Sequence, residues 1–142
     1  MSSDDLATFS LAPFLRELCD KVSASFGAVG SGVRIVVDAD ALIADLDFAI
    51  PLGLLATELL SNAIKHARAS VVTIELRQTS DGRVVLAVGD DGRGAGSTRL
   101  AARTGVGSRI IEGLTRQIGG RMEIVHQEGM RVEICMPLPE TA

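Results

Sequence analysis

The chain has 142 residues, a length that suggests one domain able to bury a real core. Hydrophobic residues make up 46% and charged residues 23%, as in ordinary globular proteins, while aromatics reach only 3% with no Trp or Tyr. The core must therefore be Leu, Val, Ile and Ala, base-stacking platforms for single-stranded nucleic acid are not expected, and the net charge of −4 argues against a general DNA binder.

The opening stretch, MSSDDLATFS, is acidic and polar, unlike a signal peptide, and residues 1–10 read as a flexible lead-in. LAPFLRELCDKVSASFG then places Leu11, Phe14, Leu15, Leu18, Val22 and Phe26 at helical spacing. Pro13 fits its first turn and Gly27 its stop. Cys19 here and Cys135 near the other end lie in apolar sequence and read as buried free thiols. A disulfide between them stays open, but no disulfide framework or zinc spacing is present.

GAVGSG is a loop, VRIVVDAD a strand, and ALIAD a short second strand after a turn around Asp38–Asp40. Asp47 caps a helix whose first turn contains Pro51 and which runs to about Ala67. No apolar run reaches membrane-spanning length, so no membrane contact by this segment is expected. A cytoplasmic protein, or the cytoplasmic piece of a larger one, is the expectation.

SVVTIELRQTSDGRVVLAVGDDG reads as a hairpin with arms Val71–Gln78 and Arg83–Gly89 and a turn at Asp81-Gly82. Its second arm is apolar almost throughout, as a central strand would be. DGRGAGSTRLAARTGVG, rich in Gly, Ser, Thr and Arg, is the candidate mobile loop. SRIIEGLTRQIGG gives a third helix with Ile110, Ile111, Leu114 and Ile118 at helical spacing, ending at Gly119-Gly120. RMEIVHQEGMRVEICMPLP is a second hairpin, and residues 139–142 are a tail. The order predicts an α+β fold: a two-layer α/β sandwich with three main helices on one face of a mixed, mostly antiparallel sheet.

Three constellations carry chemistry. In ELLSNAIKHA, Glu58, Asn62 and Lys65 share one strip of a helix whose neighbouring face, Leu52, Ala56, Leu59, Leu60 and Ala63, is apolar. A carboxylate with an amide oxygen suits a hard cation such as Mg²⁺, and a Lys one turn on suits phosphate. Taken alone, the row reads more readily as a solvated helix face, and His66 as a cation at a helix C-terminus. Second, VGDDGRGAG sets Asp90, Gly92 and Gly94 in a D-x-G-x-G pattern behind the apolar strand. Such an Asp can accept from an exocyclic amine such as adenine N6, and the glycines admit a flat ring; the bland reading is a plain turn. Third, TGVGSRII puts Gly105 and Gly107 before a helix, a phosphate site in miniature or merely a helix start. Arg93, Arg99, Arg103, Arg109, Arg116 and Arg121 follow the second constellation with only Glu112 opposing them. Arg109 stands closest to the Gly pair.

The order and spacing of the three are more specific than any one. Glu-x-x-x-Asn-x-x-Lys on a helix, D-x-G-x-G after a hairpin, a Gly-rich loop and G-x-G opening a helix resembles the GHKL (Bergerat) ATP-binding fold over residues 11–138. FAIPLGLLATELLSNAIKHA and TGVGSRIIEGLTRQIGG resemble the catalytic domain of sensor histidine kinases of the HWE-related subgroup. No Phe lies between Gly94 and Gly105, so the phenylalanine box of many other histidine kinases is missing.

The resemblance implies ATP and Mg²⁺ as ligands. Asn62 would ligate the Mg²⁺ that bridges the phosphates, and Glu58 would be the general base or orient the acceptor. Lys65 and His66 would approach the phosphates, Asp90 would read adenine N6, and Gly92 and Gly94 would shape the base pocket. Gly105, Val106, Gly107 and Ser108, with Arg109, would hold the phosphates. Family members often carry a Thr after the Gly of the last hairpin turn, near the adenine Asp; here EGMR puts Met130 there. The implied activity is donation of the γ-phosphoryl group of Mg·ATP to a histidine on a separate helical dimerisation and phosphoacceptor domain, with a response regulator downstream. His66 and His126 do not look like acceptors, so the chain reads as the catalytic domain without one, monomeric in isolation. Two alternatives share the fold: a non-catalytic pseudokinase or phosphotransferase-like docking module, and an anti-sigma-factor-type serine kinase.

Overall fold

The computed structural model describes residues 8–25, 32–66, 71–91, 109–126 and 130–138. In chain order these form β1 (Phe9–Ser10), α1 (Leu11–Ser25), β2 (Arg34–Ala39), β3 (Ile43–Ala44), α2 (Leu46–His66), β4 (Val71–Gln78), β5 (Arg83–Asp90), a helix α3 over 109–117, β6 (Arg121–His126) and β7 (Met130–Pro137).

The apolar run Val84–Val88 lies on β5, the central strand of a five-stranded sheet of order β2-β4-β5-β7-β6. Its neighbours β4 and β7 are both antiparallel, and β6 pairs antiparallel with β7. Only β2 is parallel to its neighbour β4, a connection that needs a crossover element, and α2 supplies it. The mixed, mostly antiparallel α+β sandwich expected from the sequence is the fold observed.

Alternation on the strands sorts the two faces. Val72, Ile74 and Leu76 of β4, Val84, Leu86 and Val88 of β5, and Ile134 and Met136 of β7 are buried beneath the helices. Leu11, Leu15, Cys19 and Val22 of α1, Leu52, Leu55, Leu59 and Leu60 of α2, and Ile111 of α3 complete that core. The opposite face, which bears no helix among the described residues, carries charge. Arg131 donates to Glu75 at 3.0 Å and to Glu133 at 2.7 Å, and Arg77 pairs with Asp38 and Asp40.

Helix α1 crosses α2 at Gly53. A Cβ built there would stand 3.0 Å from the ring of Phe14 and 3.5 Å from Leu18, so any larger residue would require the Phe14 ring to shift by a few tenths of an ångström. Phe9 stacks edge-on against Phe14 at 5.7 Å, and Phe9–Ser10 pairs with Ile43–Ala44 in a separate two-stranded sheet. The last two residues of the expected lead-in are thus paired, and the short strand in ALIAD finds its partner there.

Local chemistry sets the ends of the elements. The hairpin turn uses Gly82 at φ +83°, and α3 ends with Gly119 at φ +75°, where the Gly120 N–H donates to the Thr115 carbonyl at 2.8 Å. The start of α2 differs from the sequence reading. Asp45, not Asp47, is the cap: its carboxylate accepts from the Phe48 N–H at 3.3 Å and its carbonyl from the Ala49 N–H at 2.9 Å. Pro51 accordingly lies inside the helix rather than in its first turn. It leaves the Asp47 carbonyl without a helical donor, and Asp47 is exposed to water.

Two further readings are corrected. The segment Leu46–Lys65 is by length and composition apolar enough to cross a membrane. Here it is the core helix of the sandwich, with Phe48, Ala49, Leu52, Leu55 and Leu60 at or below 5% exposure. Of the two free thiols, Cys19 is buried as expected, whereas Cys135 is half-buried on the charged face and accepts from Arg83 Nε at 3.2 Å.

Replacing Asp45 with Ala removes the cap and is expected to cost about 0.5–2 kcal/mol in urea unfolding. Asp47→Ala should cost less, since Asp47 contributes only its charge to the helix dipole. Burial, with the Asp20 charge adding, pushes the Cys19 thiol up to about 12. The unfolded thiol, near 9, releases its proton first, so this contribution to stability is present below pH 9 and lost as pH rises towards 12. The alkaline fall in stability should be shallower in Cys19→Ala.

Candidate functional site

The packing of α2 on the sheet decides where its polar residues face. Leu55, Ala56, Leu59 and Leu60 are buried, while Glu58 and Asn62 are half-buried and Lys65 is exposed. Asn62 opens onto a cavity of about 140 Å³ between α2, α3 and strands β5, β6 and β7. Its walls are Leu59 and Ala63 of α2, Val88 of β5, Ile111 of α3, Met122 and Ile124 of β6, and Val132 of β7. Asn62 is the one polar side chain among them. Pockets that bury a drug-sized ligand span roughly 300–1,000 Å³, so this cavity fits a single flat ring system, not a whole nucleotide.

Asp90 ends β5 two residues beyond Val88, so alternation puts it on the helix face of the sheet, yet at the strand's end it borders an open hollow and not the cavity itself. It pairs in register with Val72, and its carboxylate accepts from the backbone N–H of Met130 at 3.5 Å. The contact that a Thr side chain would make is thus approached by the main chain of the residue in its place.

A second hollow, of about 720 Å³, lies at the rim of the charged sheet face. Val71, Thr73, Glu75, Gly89, Asp90, Asp91, Met130 and Arg131 line it. Although larger and bordered by Asp90, it is more open and lacks Asn62, so the smaller apolar cavity is the better candidate for a flat base.

The structure therefore brings Asn62 to the cavity, leaves Asp90 outside the cavity's lining and in that of the open hollow, and sets Glu58 one turn before Asn62 on α2. Lys65 lies a turn further on. His66 is the last residue of α2, and Arg109 is exposed at the start of the described part of α3. Gly92, Gly94, Gly105, Val106, Gly107 and Ser108 lie outside the described residues. Sequence reasoning did not mark Ile111, Met122, Ile124 or Val132 as cavity walls. Their only sequence signal was periodicity, which any core residue shares.

Among the described residues, no three or more His, Cys, Asp or Glu side chains are grouped to hold a metal. An Asn62 amide oxygen fits Mg²⁺ only if phosphates and water supply the other ligands, which is how Mg²⁺ is commonly held.

A model of the histidine kinase-, DNA gyrase B- and HSP90-like ATPase family matches residues 48–140. The chain belongs to that family. It is 33% identical over 115 residues to blue-light-activated histidine kinase 2 of Erythrobacter litoralis (strain HTCC2594), covering 76% of this chain and 33% of that protein. The chain thus spans about a third of the curated relative it matches. The solved histidine kinase domain of the Erythrobacter litoralis EL346 blue-light-activated histidine kinase superposes with a TM-score of 0.77 at 29% identity, over 92% of this chain and 62% of that one. The catalytic domain of histidine kinase ThkA shares the fold at a TM-score of 0.68 and 18% identity, over 92% of this chain and 94% of that one.

Ala63 borders the cavity from α2, so Ala63→Leu should fill it. The expected result is an unchanged or raised unfolding midpoint with ATP affinity at least tenfold lower by calorimetry. Unchanged affinity would make the cavity a mere packing void.

Proposed function

We propose that this ATPase-family domain binds Mg·ATP and donates the γ-phosphoryl group to a histidine of a separate dimerisation and phosphoacceptor domain. The observation that carries this reading is the apolar cavity of about 140 Å³ with the Asn62 amide at its edge. The base would occupy it, with Asp90 accepting from the exocyclic amine. The phosphates would extend past Asn62 towards Lys65, His66 and the glycine segment 92–108, whose Gly92 and Gly94 would flank the base. Gly105, Val106, Gly107, Ser108 and Arg109 would hold the phosphates.

Mg²⁺, held by Asn62 and phosphate oxygens, would supply charge neutralisation. In the transfer, the unprotonated imidazole nitrogen of the acceptor attacks the γ-phosphorus, the bond to the bridging oxygen breaks and ADP leaves. Glu58 accepts a hydrogen bond from the other ring N–H, which keeps the attacking nitrogen free of its proton. A response regulator would then take the phosphoryl group. We place the domain in the cytoplasm, monomeric by itself, with no nucleic-acid partner.

Asn62→Ala and Asp90→Ala should each abolish Mg-dependent ATP binding in calorimetry, while Glu58→Gln should keep binding and slow transfer by a factor of about 10²–10⁴. The phosphorylated partner should lose its label in acid, as phosphohistidine does. An acid-stable product would instead assign a serine acceptor.

A further inference from the structure

Single exposed aliphatic side chains are ordinary on protein surfaces, but an ordered row of them is not. Leu46, Ile50 and Leu54 of α2 are 53%, 53% and 50% exposed, and Ile43 of β3, just ahead of the helix, is 57% exposed. The three helical residues are spaced four apart, which makes them one continuous ridge of the kind that helices interlock in packing. The same row of four continues into Glu58 and then Asn62. At 1.5 Å per residue the apolar part is about 12 Å long, and Glu58 stands about 6 Å beyond it.

The charge around the ridge selects among occupants. Asp45, Asp47 and Glu58 flank it, and α2 carries no Lys or Arg before Lys65. A second copy would bring the same carboxylates against themselves, and an anionic lipid surface would be repelled. A basic-flanked helix is attracted.

We infer that the Leu46–Ile50–Leu54 ridge is the docking surface for one helix of the phosphoacceptor partner. That helix is amphipathic, with apolar residues at four-residue spacing, basic flanks, and its histidine about one turn past the apolar row, where it meets Glu58. The inference rests on the phosphotransfer reading above and adds the surface that aligns the acceptor. A contact this narrow falls in the class of weak, transient interfaces below roughly 1,200 Å². Such weakness suits a domain that must release its acceptor after each transfer.

The probe is a labelled helical peptide with leucines at i, i+4 and i+8, a histidine at i+12 and lysines on both flanks. Binding is followed by fluorescence anisotropy, and transfer by acid-labile phosphate on the peptide. Wild-type chain should bind it, and Ile50→Glu and Leu54→Glu should each weaken binding at least tenfold, with transfer falling in parallel. ATP affinity should stay within twofold, because both positions are half-exposed and lie two or more turns from Asn62. Three results overturn the inference: no peptide binding by the wild-type chain, equal binding by the glutamate variants, or a wild-type dimer in sedimentation that Ile50→Glu dissolves. Failure of the wild-type chain to bind ATP would defeat the nucleotide reading instead, and the peptide titration would still decide the ridge.

Discussion

The domain depends on how α2 is seated across β4 and β5. Leu52, Leu55 and Leu60 are fully buried and Leu59 nearly so, each worth about 1.5–3 kcal/mol of burial. That packing fixes the helix in rotation as well as position. Turning α2 about its axis to bury Asn62 would lift leucines off the sheet and leave an amide in apolar surroundings, and both changes cost free energy. Asn62 is therefore held at the cavity by the apolar face next to it. A binding group on such an element is preorganised in a way a loop residue is not.

Strand β5 gives the opposite wall the same rigidity. It is laddered on both sides, to β4 and to β7, up to Gly89 and Asp90. The β7 side also supplies the Met130 N–H to the Asp90 carboxylate. A main-chain donor is present whatever side chain the position carries, short of proline. This accounts for how Met130 can stand where relatives in the resemblance often have Thr while Asp90 keeps a neighbour that orients it.

Features set by local chemistry were legible in the sequence. The hairpin around Asp81-Gly82, the helix stop at Gly119 and the central place of β5 all follow from turn residues and periodicity. The start of α2 was not, because two aspartates two residues apart offered equal capping chemistry and Pro51 pulled the reading later. Geometry decided it: Asp45 stands three residues before the N–H it caps. Composition could not tell a core helix from a membrane span, since both are long and apolar; what separates them is the sheet beneath α2. The cavity walls were hidden for a related reason. Ile111, Met122, Ile124 and Val132 come from three elements, and no local signal distinguishes an apolar residue facing a void from one facing a neighbour. The polar residues Asn62 and Asp90 stood out because burying such groups demands a partner.

The charged residues described near the ends of α2, β5 and α3 are Glu58, Asp90 and Asp91 against Lys65 and Arg109, and none of them lines the apolar cavity. In the proposed mechanism the apolar cavity would take only the base, and a bare triphosphate would find no net positive charge in this set. Charge must come from elsewhere, and the sequence places it between the two described ends of the site. Residues 92–108 begin after Asp91, end before Arg109, and carry Arg93, Arg99 and Arg103 but no acidic residue. This divides the work in the proposed mechanism. The rigid sandwich would select the base through shape and the Asp90 carboxylate, while Mg²⁺ and the arginine- and glycine-rich segment would offset the phosphates. Affinity would then depend on the cation more steeply than for a site whose fixed residues already balance the charge.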